Sequence, residues 1–173
     1  YPPNTLCVQA RLRGIEILPL DINASEADFT ATDNTIRIGL KQVRGMEKSF
    51  LASIAKARQA GPFTSVHDFI YRTNVSRDVC ENLVLGGAFD WFDSNRRALL
   101  WNLPRWYQTK QGGLFLEILP SQQKIEDFSP LQRWLREYQA LGLTARGHIM
   151  DFLRPDLPKG VLTTQAAQNC PTN

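Results

Sequence analysis

The chain is poor in the residues that usually announce metal or redox chemistry. Of its 173 residues, three are cysteine and two are histidine. Cys7, Cys80 and Cys170 are far apart, odd in number and in no Cys-x-x-Cys pair. They read as reduced thiols of a cytoplasmic protein and leave structural zinc without a ligand set. His67 belongs to a short capped helix and His148 to Gly147-His148-Ile149; neither has a cysteine or second histidine at ligand spacing, so no metal site is expected. Asp21, Glu26 and Asp28 lie in a turn-rich stretch with no partner motif and are expected in a solvated loop. Long apolar runs are missing too: nothing approaches the roughly 20 residues of a membrane helix. The opening Tyr1-Pro2-Pro3-Asn4 has no charged n-region and no apolar h-region, so neither a membrane partner nor a secretory signal is expected. The first residue is not Met, which fits an excised piece of a longer polypeptide.

What is present is an ordinary globular composition, 43% hydrophobic and 21% charged, with an uneven distribution of charge. Residues 36–77 carry eight bases (Arg37, Lys41, Arg44, Lys48, Lys56, Arg58, Arg72, Arg77) against two acids, Glu47 and Asp68, a local net of +6. Residues 1–35 carry two bases and five acids, and residues 78–173 balance ten against ten. The overall charge of +3 therefore conceals a basic sub-region, which argues for a polyanionic partner.

Apolar spacing and punctuation predict a mainly α chain with a small β element. A helix over residues 4–13 stops at Gly14, and strands are expected over 15–18 and 35–40. Residues 46–60 form an amphipathic helix with Met46, Phe50, Leu51, Ile54 and Ala55 on one face, ended by Gly61-Pro62. Ser65 and Asp68 make a capping-box pattern, Ser76 caps the next helix, and Ser94 caps another that ends at Leu103 before Pro104. Residues 104–128, with two prolines and Gly112-Gly113, read as an exposed connector. Ser129-Pro130 opens a further helix whose buried stripe is Leu131, Trp134, Leu135, Tyr138 and Leu141, closed by Gly142.

Two helix–turn–helix units fall inside the basic region. The first turns at Val43-Arg44-Gly45-Met46, with Gly45 supplying a positive φ; the second turns at Thr73-Asn74-Val75-Ser76. At each, the amides that open the following helix present the positive end of its dipole, suited to a phosphate oxygen. Such contacts place a duplex without reading its sequence. The residues expected to touch DNA are Lys41, Arg44, Gly45, Lys48, Asn74, Ser76 and Arg77.

The run Ile36-Arg37-Ile38-Gly39-Leu40-Lys41-Gln42-Val43-Arg44-Gly45-Met46 resembles the first helix-hairpin-helix of bacterial DNA polymerase III alpha subunits. Gly61-Pro62-Phe63-Thr64-Ser65-Val66-His67-Asp68-Phe69, Gly87-Ala88-Phe89-Asp90 and the upstream Ile17-Leu18-Pro19-Leu20-Asp21-Ile22-Asn23-Ala24-Ser25 are similar to the same family, in the same order. The chain departs from the family pattern at Glu47, where a second glycine is usual, and the acid favours the helix dipole while repelling phosphate. Arg96-Arg97-Ala98-Leu99-Leu100-Trp101 leans toward the error-prone branch.

The resemblance implies four parts: the end of a fingers region (1–35), a tandem helix-hairpin-helix domain (36–103), an exposed loop (104–128), and a helix with linker (129–173) truncated before an OB-fold. In the loop, Gln111-Gly112-Gly113-Leu114-Phe115 resembles the family's sliding-clamp peptide. Gln111 would bond at the pocket rim, and Leu114 and Phe115 would fill it. Such a segment supports DNA synthesis in replication or translesion synthesis by binding double-stranded DNA and the clamp. The parent is expected to be a DNA-directed DNA polymerase, a nucleotidyltransferase using magnesium. No Asp-x-Asp pair occurs here, so no catalytic residue and no cofactor is expected in this segment. Two other classes compete. One is a basic helical protein-interaction module with no direct DNA contact. The other is a nuclease or ligase fragment with borrowed hairpins, which would need a nucleophile or metal set that is not found. Trp101, Trp106 and Trp134 are candidates for base stacking, with Trp134 placed rather in the core by its apolar stripe.

Overall fold

A computed structural model describes residues 1–110, 125–158 and 161. Helix α1 (Pro3–Leu12) leads into strand β1 (Glu16–Leu18), followed by β2 (Thr30–Ala31) and β3 (Thr35–Arg37). The three strands form one sheet in the order β1-β3-β2, with β1 parallel to β3 (Ile17 opposite Ile36) and β2 antiparallel to it (Ala31 opposite Ile36). A single 3-10 turn (Leu40–Gln42) precedes α2 (Lys48–Arg58), α3 (Val66–Arg72), α4 (Arg77–Leu85) and α5 (Arg96–Lys110). Beyond the undescribed stretch come α6 (Pro130–Leu141), α7 (Ile149–Leu153) and a last 3-10 turn (Arg154–Asp156). The mainly helical architecture with a small β element is as expected; strand β2 is an addition.

One apolar cluster runs through the described residues, from Ile17 and Leu20 through Phe63, Phe69 and Phe89 to Leu103 and Leu141. Phe69 stands edge-on to both Phe63 and Phe89, with centroids 5.1 and 5.2 Å apart, the arrangement favoured by ring quadrupoles. The 21–25 turn joins this core rather than standing in solvent, because Ile22 and Ser25 are fully buried. The Asp21 carboxylate accepts the Asn23 and Ala24 amides, the Asn23 side chain clamps the backbone of Phe63 in both directions, and Arg58 donates to the Ile22 carbonyl. The expected solvated loop is therefore a docked turn whose first carboxylate is spent on capping.

Several expected boundaries shift for identifiable reasons. Helix α5 does not stop at Pro104 but continues to Lys110. An interior proline costs about 3 kcal/mol in an isolated helix; here the turns on either side are anchored by fully buried Leu103 and by Tyr107, whose hydroxyl donates to Val75 and Ser76 carbonyls. Residues 104–110, expected in the connector, are therefore helical, and the rest of that stretch up to residue 124 lies outside the described residues. Asn95, not Ser94, caps α5, its Oδ1 accepting the Ala98 amide at 2.9 Å. On α2 the buried positions are Ile54 and Ala57, and Ala55 faces out. On α6 only Ala140 and Leu141 are buried, with Leu135 and Tyr138 about 40% exposed, so the anticipated stripe is covered only at its end. The caps at Ser65, Ser76 and Ser129 and the left-handed Gly142 stand where the sequence placed them.

Buried ion pairing joins α4, α5 and α6. Arg96, 5% exposed in its side chain, donates to both oxygens of Asp90, to the Leu85 carbonyl and to Glu137. Burial opposes its charge, but Asp90 and Glu137 outweigh that and hold the guanidinium protonation above its ordinary range. The adjacent Gly87 has φ +85, and a Cβ there would lie 2.3 Å from Arg96 Nη2, so neither its conformation nor its space admits a side chain. Arg96, met first as part of a branch signature, is a structural hub.

Candidate nucleic-acid interface

The first hairpin turns at Gly45 with φ +80, where a Cβ would press within 3.2 Å of Val79 on α4. Its turn is pinned on both sides: the Arg44 amide donates to Ala140 of α6, the Arg44 carbonyl accepts from Asn82 of α4, and the Gln42 side chain donates to the Leu141 carbonyl. The expected leading helix is only the 3-10 turn: Gly39 before it is extended and packed against the Asp28 backbone, and the Leu40 and Lys41 amides donate to the Glu26 and Ala27 carbonyls. Helix α2 then begins after Glu47, which offers no side-chain cap; its carboxylate accepts only from the Ser49 hydroxyl at 3.3 Å. Arg44 and Lys48 are exposed.

The second hairpin turns without any positive φ. Thr73 ends α3 in an extended conformation with its hydroxyl donating to Phe69, Val75 is buried, and Ser76 caps α4 by accepting the Val79 amide at 3.4 Å. Neighbouring elements hold the loop. Ser53 of α2 accepts the Asn74 amide at 3.0 Å, Tyr107 of α5 donates to Val75 and Ser76, and the Lys110 ammonium donates to the Thr73 carbonyl. The Tyr107 hydroxyl also meets buried Cys80. Burial pushes the Cys80 thiol up to about 12, despite its bond to Tyr107, and burial likewise raises the Tyr107 phenol. Both stay neutral at neutral pH.

The 73–76 loop is a ridge between two grooves that share Asn74. One, about 620 Å³, is lined by Ser49, Ser53, Lys56, Arg72, Thr73 and Asn74. The other, about 590 Å³, runs past Asn74, Ser76, Arg77, Pro104, Tyr107 and Gln108. Small residues at Ser49, Ala52 and Ser53 leave the α2 wall low enough for a backbone to approach, with Lys56 at its rim.

Of the eight bases counted in residues 36–77, five are engaged. Arg37 donates to Pro19, Arg58 to Ile22, and Arg72 to Asp68 and to the Ala57, Gly61 and Pro62 carbonyls; Lys41 pairs with Asp28 and Arg77 with Glu81. Among the described residues, Arg44, Lys48 and Lys56 are exposed and make no ion pair. Exposed pairs are worth about 0–1 kcal/mol, so Arg77, half exposed, can exchange Glu81 for a phosphate, while Arg58 and Arg72 are locked into the fold. Lys41 faces the 26–28 loop and is not brought to either groove. Asn74, Ser76 and Arg77 lie together at the ridge; Gly45, Arg44 and Lys48 form a separate group around the first turn. Lys56, Ser53, Tyr107 and Lys110 were not anticipated. Lys56 was counted only as charge, and the proline at 104 hid the helix that carries the last two. Gln111, Leu114 and Phe115 lie outside the described residues. His148 proves to be the cap of α7, its Nδ1 accepting the Met150 amide while Asp151 accepts the His148 amide.

Residues 14–99 match the family model of the helix-hairpin-helix motif. The chain is 37% identical over 95% of its length to an error-prone DNA polymerase of Symbiobacterium thermophilum, covering 20% of that protein. It is 30% identical over 89% of its length to an error-prone DNA polymerase of Bdellovibrio bacteriovorus, covering 16% of it. A DNA polymerase III subunit alpha of Chlamydia pneumoniae is 39% identical over 58% of this chain, which covers 8% of that protein. The chain therefore spans a fifth or less of the length of these curated relatives. By sequence it belongs to the family of bacterial DNA polymerase III alpha subunits and error-prone DNA polymerases, of which it represents one helix-hairpin-helix-containing segment.

Proposed function

We propose that this segment holds double-stranded DNA by its backbone for a parent DNA-directed DNA polymerase and docks that enzyme on the sliding clamp, in the bacterial cytoplasm. The observation that carries the DNA half is the 73–76 ridge, with Lys56 at the rim of one groove and Ser76 and Arg77 in the other. Asn74, on the crest, offers hydrogen bonds to a phosphate but no base-reading geometry is required. Arg44, Gly45 and Lys48 form a second contact, weakened by Glu47. Nucleotidyl transfer with magnesium would take place elsewhere in the parent, since the sequence of this segment has no Asp-x-Asp pair.

The DNA reading is tested by titrating the chain with a blunt duplex at rising salt. Binding independent of sequence is expected, with a log–log slope of about −0.9 per neutralised phosphate. Absence of binding at low ionic strength by the folded chain removes it.

The clamp half rests on the family-like peptide Gln111-Gly112-Gly113-Leu114-Phe115, which begins immediately after α5. Leu114 and Phe115 would supply most of the energy, roughly 1.5–3 kcal/mol each before ordering costs, for an affinity on the order of micromolar. Their joint replacement by alanine is expected to abolish clamp binding and leave duplex binding and the thermal melt unchanged. A large fall in Tm would instead place the pair in the core.

A second reading, a protein-interaction module with no DNA contact, draws on a different feature. A hollow of about 440 Å³ between α3 and α5 is lined by His67, Trp91, Phe92 and Trp106, materials suited to an apolar side chain of a partner. Salt-independent failure to bind DNA, with retained partner binding, would favour it.

A further inference from the structure

Helix α5 contains no acid over its 15 residues, while Arg96, Arg97, Arg105 and Lys110 give it four bases. Arg96, Arg105 and Lys110 each make interactions within the fold. Arg97 is not explained by helix stability, since a cation in the first turn opposes the macrodipole. One turn further along the same face stands Trp101, 67% exposed and without a ring partner among the described residues. Another turn brings Pro104 and Arg105, and then Gln108. Pro104 and Gln108 form the wall of the groove opposite Ser76 and Arg77. The exposed face of α5 is thus a direct continuation of the trench beside the second hairpin. From Gln108 to Arg97 it runs about 16 Å at 1.5 Å per residue, the length of about five stacked nucleotides. At the N-terminal end of this face Asp127 accepts the Arg97 amide and is itself paired with Arg133 at 3.6 Å.

Resting on the reading of the ridge as a duplex-holding site, we propose that the outer face of α5 carries an unpaired single strand leaving that duplex, with Trp101 as the platform on which one base stacks and Arg97 as a phosphate contact. An aromatic ring flanked by cations along a track is the arrangement that binds single strands without sequence preference, since every base has a π-face and every linkage a charge. A solitary exposed Trp is unremarkable on a surface; one that is flanked by arginine and continuous with a phosphate-suited groove has a defined chemical complement. The charge pattern favours a polyanion over an apolar peptide.

The test compares three probes on the full chain: a blunt duplex, the same duplex with a single-stranded thymidylate extension, and oligothymidylate alone. The extension should raise affinity about tenfold over the blunt duplex, and oligothymidylate should quench tryptophan fluorescence. Trp101→Ala should erase the gain while leaving blunt-duplex binding intact, which also shows that the variant is folded. Trp101→Phe should retain part of the gain and lose most of the quenching, and Arg97→Ala should lower the salt slope for the extended probe by about one. If the extension gives no gain, or Trp101→Ala keeps it, the single-strand track is wrong while the duplex reading stands. If the blunt duplex does not bind but oligothymidylate does in a Trp101-dependent way, the duplex reading fails and the track survives. If neither binds, both are overturned.

Discussion

The two hairpins reverse the chain by different routes. The first reverses at a left-handed glycine, leaves its helix without a side-chain cap, and is braced from behind by α4 and α6 through the backbone of Arg44. The second reverses with no positive φ, caps its helix with Ser76, and is braced by side chains of α2 and α5. The comparison teaches where adaptability lies. The first turn rests on a left-handed glycine and a main-chain bond, with Asn82 and Gln42 adding one side-chain donor each, whereas the loop held by Ser53, Tyr107 and Lys110 depends on three distant side chains and can be tuned through them. Two grooves flank the second among the described residues, so the element braced by the side chains of two neighbouring helices also offers room for a polyanion.

The largest expected effect removes what both hairpins share. Arg96→Ala would open a buried void and take the guanidinium from Asp90 and Glu137, leaving Asp90 with Arg133 at 3.2 Å and Glu137 with the Ala145 amide; breaking a buried pair on one side costs up to about 3–5 kcal/mol. Urea melts should show a loss of that size, and amide exchange should accelerate at Arg44, whose partner Ala140 lies on α6, as well as along α4. A loss below 1 kcal/mol would mean the two hairpins are not mechanically joined through Arg96.

Next in size is a change meant to separate them. Tyr107→Phe deletes only the hydroxyl that donates to Val75 and Ser76, at a cost of about 1 kcal/mol. Exchange should quicken in the second hairpin and duplex affinity should fall, with the first hairpin unchanged. Equal acceleration in both would collapse the distinction between a main-chain and a side-chain brace.

The ranking of DNA contacts sharpens the comparison further. Lys56→Ala and Arg77→Ala are each expected to lower the salt slope by about 0.9 and to weaken duplex binding more than Arg44→Ala does. Lys41→Ala should change little, since Lys41 is turned to Asp28. Ser76→Asp should weaken binding by placing an anion at the mouth of α4, and Glu47→Gly should strengthen the first contact. Should Arg44→Ala abolish binding while Glu47→Gly leaves it unchanged, the first hairpin is the dominant site.

How far the sequence foretold these features depends on the range of the interactions behind them. Ser65, Ser76, Ser129 and Gly142 act within four residues of themselves, and each sits where its local pattern placed it. Gly45 was legible for its φ, though not for its contact with Val79, which is 34 residues away. Pro104 misled because its local penalty is offset by Leu103 and Tyr107, whose partners lie in other elements. The charge count overstated the available surface for the same reason: nothing near Arg58 or Arg72 in sequence announces that their guanidinium groups hold backbone carbonyls. Trp134, expected in the core, is only half-buried and stacks on Tyr138 at 5.5 Å, and Leu135 of the same stripe is exposed, because the apolar spacing of a helix does not say how much of that face its neighbours cover.

The smallest expected effect concerns the helix that leads into the second hairpin. Asp68 sits in the first turn of α3, where its carboxylate accepts the Thr64 amide at 3.0 Å and the Arg72 guanidinium at 2.9 Å. Burial opposes its ionisation, but those two donors outweigh it and hold the carboxyl below its ordinary value of about 3.8. A carboxyl whose folded pKa is depressed contributes stability that is complete above the unfolded value and is lost as pH falls through the folded one. Stability should therefore be flat in this group's contribution at neutral pH and decline below about 3.8, with Arg72 released from the backbone carbonyls it shares with α2. Asp68→Asn should remove that part of the acid limb and leave the first hairpin's exchange rates untouched. The measurement is a series of urea midpoints against pH for the two proteins. Parallel curves at low pH would show that the Asp68–Arg72 pair adds nothing in the native state, and that α3 is oriented by its apolar face and the Ser65 cap alone.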